Sequence, residues 1–385
     1  MTRPTPLSIL ALLAIALPSA ACRETGDSQP DDPPDAAPSA DNQPTRTPPP
    51  AGDPTATRSD LVHPRETRFG AMRQLTFEGE NAEGYWALDG TSLIFQSTPV
   101  PGEGCDQIYT LDPATGARRL VSTGRGRTTC AYFYPAGNRI LYSSTHHHDS
   151  ACPTPPDRSR GYVWAIYPTF DIFAADADGS NPVQLTTEPG YDAEATFSPT
   201  GHRIVFTSVR DGDLDLYSML PDGSGVQRLT DRIGYDGGAF YSPDGTKIVW
   251  RAHYPDTPEA RDDYLSLLAD GLIRPSALEI WVADADGSNP RQLTDNGAAN
   301  FAPYWHPSGE RIIFASNMDD PRGREFELYL IDIDGTGLER VTYSEGFDGF
   351  PVFHPDGRSL VFGSNRNMSH EGNTNLFLVE WLDAR

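Results

Sequence analysis

Short apolar runs alternate with tight polar turns along most of the chain. Six stretches repeat one pattern: GYWALDGTSLIF (84–95), AYFYPAGNRILY (131–142), ATFSPTGHRIVF (195–206), AFYSPDGTKIVW (239–250), PYWHPSGERIIF (303–314) and PVFHPDGRSLVF (351–362). An aromatic residue stands four places before the glycine of each: Trp86, Phe133, Phe197, Tyr241, Trp305 and Phe353. Another stands five places after it: Phe95, Tyr142, Phe206, Trp250, Phe314 and Phe362. The glycine supplies the positive φ of a tight hairpin turn, and a preceding proline, missing only at Leu88, fixes the approach to it. The unit is therefore strand, turn, strand.

Each unit continues alike. A third strand opens with a polar residue before an aliphatic–aromatic pair, as in Gln107-Ile108-Tyr109, Asp171-Ile172-Phe173 and Asp215-Leu216-Tyr217. The same pattern returns at Glu279-Ile280-Trp281, Glu327-Leu328-Tyr329 and Asn375-Leu376-Phe377. A turn then leads to a fourth strand, RRLV, VQLT, QRLT, RQLT or ERVT. Repeats of roughly 40 to 60 residues, each too small to bury its own apolar faces, stack into a propeller or solenoid. Four strands per unit and six units predict an all-β, six-bladed β-propeller over 69–385. The sixth unit lacks a fourth strand, while an orphan MRQLT (72–76) precedes the first. Placing 72–76 on the last blade pairs an open edge and closes the ring.

Composition agrees with this reading. Gly and Pro number 35 each in 385 residues, which suits turns and leaves little room for helices. A net charge of −24 offers no basic stripe for phosphates, so nucleic acid is excluded as a partner.

The first residues read as an address. Arg3 precedes an apolar run from Leu7 to Leu17, then Pro18-Ser19-Ala20-Ala21-Cys22, a signal peptide over 1–21 rather than a membrane span. The small–small–Cys ending resembles a bacterial lipobox. That resemblance implies lipidation of Cys22, and Arg23 after it implies the outer membrane. Residues 22–68 are rich in Pro, Asp, Ala and Thr without apolar periodicity, which predicts a disordered linker between anchor and folded body. Membrane contact is then through the lipid alone. Cys105, Cys130 and Cys152 remain, and in an exported protein two of them form a disulfide, with three pairings open.

The repeats Phe197-Ser198-Pro199-Thr200-Gly201, Tyr241-Ser242-Pro243-Asp244-Gly245 and Phe353-His354-Pro355-Asp356-Gly357 resemble the TolB-type propeller repeat, over about 72–385. The resemblance implies a TolB-like fold and is unspecific for function, since such propellers occur in TolB, beside prolyl oligopeptidase-type hydrolases and in oligogalacturonate lyases. The TolB family carries a small α/β domain ahead of its propeller, where this chain shows a tether. No Gly-x-Ser-x-Gly elbow occurs, which argues against a hydrolase half.

Candidate chemistry gathers on one face, where the loops joining second to third strands lie. Blade two inserts residues 145–170, blade four inserts 253–277 and blade six a shorter 365–375. Long loops on one side of a rigid scaffold are where binding resides. His146, His147, His148, Asp149 and His253 are candidate ligands for a divalent metal converging from two blades, although three adjacent histidines in one loop cannot all point inward, which favours loop hydrogen bonding for the imidazoles. Tyr162, Trp164 and Tyr167, followed by Phe170, offer rings to grip a peptide or stack on sugars, or to pin their own loop. In the blade-four insertion Thr257 is a helix cap, Pro258 a first helical residue and Asp270-Gly271 a stop, with Tyr264, Leu265, Leu267 and Leu268 as its apolar side. Asp192, Asp236 and Asp348, each after an aromatic at a blade junction, either ring the channel mouth or serve inter-blade hydrogen bonding, which their recurrence in register favours. Asp-x-Asp-Gly at 176–179, 284–287 and 332–335 reads as a turn rather than a calcium loop.

These readings combine into a monomeric, lipid-anchored envelope protein whose propeller binds a protein or peptide, in preference to catalysis. The alternative is a metal-dependent polysaccharide lyase or hydrolase, which the resemblance to oligogalacturonate lyases implies.

Overall fold

The computed structural model describes residues 52–99, 104–321 and 323–383, so the expected signal peptide and Cys22 lie outside the described residues. The chain forms six four-stranded antiparallel sheets in sequence order, and a two-stranded sheet apart from them. Blade one is Glu80–Trp86, Leu93–Thr98, Gln107–Leu111 and Arg118–Leu120, and the later blades repeat that meander. The expected six-bladed propeller is present.

The repeat residues explain why. All six hairpin glycines have φ between 70° and 73°, and each donates its N–H to the carbonyl three residues back, at 2.8–2.9 Å. A side chain other than glycine at such a φ is strained. The aromatic five places after the glycine lies opposite the third-strand aromatic in every blade. Phe95 faces Tyr109, Tyr142 faces Phe173, Phe206 faces Tyr217, Trp250 faces Trp281, Phe314 faces Tyr329 and Phe362 faces Phe377. Their ring centroids are 5.8–6.3 Å apart. Such cross-strand pairs add about 0.5–1.5 kcal/mol each beyond area burial.

Blades are tied to one another by one recurring bond. The N–H of Asn81, Thr128, Asp192, Asp236, Asn300 and Asp348, near the start of each first strand, donates to the carbonyl just ahead of the preceding blade's third strand, at 2.8–3.1 Å. The ring closes as the orphan strand predicted. Phe69–Gln74 pairs antiparallel with Asn375–Trp381, and Leu75 N–H reaches Leu376 O at 2.8 Å.

The last part of the segment expected as a linker, 52–68, is structured. Residues 52–68 pack on the propeller: Thr57 bridges Arg73, and Ser59–Leu61 forms a 3₁₀ turn. Glu66 is buried, accepts from the Arg366 guanidinium at 3.1 and 3.2 Å, and takes the Tyr343 N–H at 3.1 Å. Arg68 grips Glu339 through two bonds of 2.7 and 2.6 Å. Low apolar content identifies a segment without a core of its own, but not one held by specific ion pairs to a core elsewhere.

The two long insertions meet. Trp164–Ala165 of blade two pairs antiparallel with Leu272–Ile273 of blade four, forming the separate two-stranded sheet. The predicted helix runs Pro258–Ala269, with the Thr257 side chain accepting the Ala260 N–H at 3.1 Å. Tyr264 and Leu267 are buried, but Leu265 is 40 % exposed and leaves the expected apolar side, because it sits about 100° round the helix from Tyr264. The Tyr264 hydroxyl donates toward Asp213 Oδ1 (2.5 Å) and Gly234 O (2.6 Å), fastening the helix to the junction of blades three and four. Cys105 and Cys152 form the disulfide, with Cα atoms 5.7 Å apart, and Cys130 is free.

Candidate functional site: a blind pit on the propeller axis

The innermost strand of every blade carries a bulge, seen as a register shift against the second strand. Each bulge holds one residue at positive φ: Glu83 (55°), Cys130 (52°), Glu194 (59°), Gly238 (61°), Ala302 (50°) and Phe350 (53°). Five of the six are not glycine, a costly choice kept only where the surroundings enforce it. A bulge re-aims its side chain, and all six residues line one small cavity.

The cavity is closed on one side by aromatic rings. Tyr85, Tyr132, Phe240 and Tyr304 each follow a bulge residue by two positions, with neighbouring centroids 5.2–6.3 Å apart. Tyr85 and Phe240 belong to blades one and four, which face each other across a six-membered ring, yet their centroids are only 5.5 Å apart. Rings from opposite blades in contact leave no through-channel at that level. The axis holds a pit.

Charge is confined to one arc of the wall. Glu194 is fully engaged: Oε1 pairs with Arg251, and Oε2 accepts from the Gly238 N–H and the Thr207 hydroxyl, both at 2.9 Å. The Arg251 guanidinium also reaches the Tyr235 hydroxyl at 2.7 Å and lies 5.6 Å from the Trp164 ring, which joins the blade-two insertion to the pit wall. Glu83 stands without such a counter-ion. Burial, helped by the charge of Glu194 and opposed by Arg251, pushes its carboxyl up to about 7. Burial first, and then Glu83 and Glu194, push the Cys130 thiol well above its usual value, so it is held protonated and is a poor nucleophile. Ala302 and Phe350 form the opposite, apolar arc.

The sequence-predicted metal residues are dispersed among other partners. His146 is buried, with Nδ1 2.8 Å from Ser144 Oγ and its ring 4.4 Å from Phe173. Burial, with the neighbouring His147, lowers its pKa to about 4. His147 Nδ1 contacts Gln184 at 2.9 Å, and His148 lies 3.9 Å from Asp171. Asp149 caps the Ala151 N–H at 2.9 Å, and His253 Nδ1 is 3.0 Å from Ala277 O. Among the described residues no three His, Cys, Asp or Glu side chains are grouped to hold a metal ion. The five residues do not come together as one donor set: each imidazole has a neighbour of its own, and His253 sits with Ala277 on blade four.

Asp192, Asp236 and Asp348 are buried, each with partners within the propeller. Asp192 pairs with Arg210 at 3.0 Å and Asp348 with Arg366 at 2.7 Å. Asp236 accepts from Trp250 Nε1 at 2.6 Å and from the Tyr254 hydroxyl at 2.5 Å. Their N–H groups make the inter-blade bonds described above. Of the insertion aromatics, Tyr162 is 61 % exposed and accepts from Trp164 Nε1 at 3.2 Å, Tyr167 donates to Thr154 O at 2.9 Å, and Phe170 is buried. Sequence reasoning missed Glu83 and the pit role of Cys130. The available signal was register: both stand two places after the residue making the inter-blade bond, as Glu194 stands after Asp192.

No protein-family model matches the chain. Among solved structures, it is similar to a protein assigned as TolB in Agrobacterium tumefaciens, at TM-score 0.53 and 22% identity over 80% of this chain and 91% of that one. TolB from Acinetobacter baumannii matches at TM-score 0.53 and 19% identity over 71% of this chain, which spans 57% of that protein. Oligogalacturonate lyase from Vibrio parahaemolyticus matches at TM-score 0.50 and 11% identity, over 84% of this chain and 96% of that one. Identities this low speak to fold alone. The chain is thus a six-bladed β-propeller whose fold is similar to that of the TolB propellers.

Proposed function

We propose that this is an exported, lipid-anchored envelope protein whose propeller binds a protein or peptide segment on the face that carries the joined insertions. The observation that supports it most is the pairing of Trp164–Ala165 with Leu272–Ile273, which fixes exposed Tyr162 and its bonded neighbour Trp164 beside the wall of a closed pit. Rigid aromatic side chains held on a scaffold give large contact area at low entropic cost. The TolB-like fold supports a protein partner, and the signal-like run ending at Cys22 supports the anchor. Among the described residues no helix is long and apolar enough to cross a membrane.

The test is cross-linking of the full-length chain in cells, with partners identified by mass spectrometry and compared with the double variant Tyr162→Ala/Trp164→Ala. A partner that is lost with the variant, and that binds directly when purified, is expected. An unchanged set of partners would defeat the reading. Cys22→Ala should release the protein from the membrane fraction, and retention there would refute the anchor.

A further inference from the structure

We infer that the axial pit is a binding site for a primary ammonium group carried on an apolar stem, with Glu83 as its counter-ion. Three features of the wall point the same way. First, its two carboxylates are unequal. Glu194 is neutralised by Arg251 and holds two further donors, whereas Glu83 is bonded by Cys130 and feels Arg251 only through its charge, without an ion pair to it. A ligand cation would supply what Glu83 lacks, and a charge-assisted bond in a site screened from water is stronger than one at the surface.

Second, the remaining wall suits an organic cation better than a metal ion. Ala302 and Phe350 face the carboxylate arc, and the floor is built from Tyr85 and Phe240. An alkyl or aryl stem can lie against the apolar arc while the ammonium reaches Glu83. Aromatic faces favour a cation near them. A hard divalent cation requires several oxygen ligands, and here only one carboxylate is outside an ion pair.

Third, the pit is built at a cost. Five non-glycine residues hold positive φ on the six innermost strands, and the glycine that completes the set, Gly238, donates its N–H to Glu194. Strain repeated around one cavity is the pattern of a site rather than of a packing defect.

The inference rests on the proposed peptide-binding reading only for one source of the ammonium, a lysine side chain entering from a bound segment; a free amine is the other source. The probes are 4-phenylbutylamine and its neutral counterpart 4-phenylbutanol, titrated calorimetrically into the full chain. The amine should bind about ten-fold tighter than the alcohol, and Glu83→Gln should erase that preference. Ala302→Leu, which fills the pit from the apolar arc without touching charge, should abolish binding of both. Displacement of the amine by acetyl-Phe-Lys-Phe-amide would identify lysine as an acceptable source, and lack of displacement would restrict the site to free amines. Equal affinities for amine and alcohol, an amine preference that survives Glu83→Gln, or binding that survives Ala302→Leu would each overturn the inference. Partner capture through Tyr162 and Trp164 can succeed while these titrations fail, so the two readings fall separately.

Discussion

The Leu376 N–H donates to the Thr76 hydroxyl at 2.8 Å, across 300 residues of chain. In blades two to five the same bond joins third and fourth strands that are close in sequence: Ile172 to Thr186, Leu216 to Thr230, Ile280 to Thr294 and Leu328 to Thr342, at 2.8–2.9 Å. Ser122 fills the place in blade one, bonded by Ile108 at 2.9 Å. Thr76 therefore occupies the slot that a fourth strand of blade six would occupy. Its side chain also contacts Asn375 Oδ1 at 3.1 Å.

That closure predicts where the fold is most sensitive. Arg366 is buried between Glu66 and Asp348, so Glu66→Ala leaves a buried guanidinium with one of its two carboxylates. Removing one member of such a group costs about 3–5 kcal/mol. A clear fall in the urea midpoint is expected, and a midpoint within error of wild type would show that 52–68 contributes nothing to closure.

The cysteines make a chemical prediction. Peptide mapping without reductant should recover Cys105 linked to Cys152, with Cys130 alkylated only after denaturation, because burial suppresses its thiolate. The bridge spans 47 residues, and replacing both cysteines by alanine should lower stability by up to about 4 kcal/mol. It should also expose residues 145–170 to protease. Fast alkylation of native Cys130 would contradict a thiol held protonated in the pit wall.

Helix Pro258–Ala269 hangs on one hydroxyl. Tyr264→Phe removes the bonds to Asp213 and Gly234 O and should cost about 1–2 kcal/mol locally. Hydrogen exchange should rise over 258–273 and stay unchanged in blade one. Uniform change across the protein would mean the helix is not a separable unit.

The carboxyl of Glu83 carries a pH signature. It faces Glu194, Arg251, Cys130 and, farther off, Asp106, and its value is raised to about 7. A carboxyl raised by burial is protonated in the folded chain while ionised in the unfolded one. Its destabilising contribution is therefore absent below the ordinary carboxylate range and complete above about pH 7. Glu83→Gln should match wild-type stability near pH 4.5 and exceed it near pH 8. Equal unfolding midpoints at both values would show that Glu83 is solvated.

The ring could be read from the sequence because it is made of local, repeated units. Hairpin glycines, aromatic pairs and the QLT-type fourth strands each recur at fixed offsets, and an unpaired MRQLT matched an unpaired edge. Periodicity of this kind is written in the residues themselves. The helix from Pro258 was legible for the same reason, since Thr257 and Pro258 act on neighbours.

The site was decided elsewhere. Glu83, Cys130, Glu194 and Phe350 share a register but no residue type, and they become neighbours because six bulges point at one axis. The histidines at 146–148 left ligand and loop hydrogen-bonding roles open in the sequence, and the fold sets His146 against Phe173 and Ser144 and His147 against Gln184. Local sequence determines turns, strands and their order, because those depend on near neighbours. Which side chains meet, and which charge is left without a partner, depends on contacts between residues far apart in the chain, and only the closed ring supplies them.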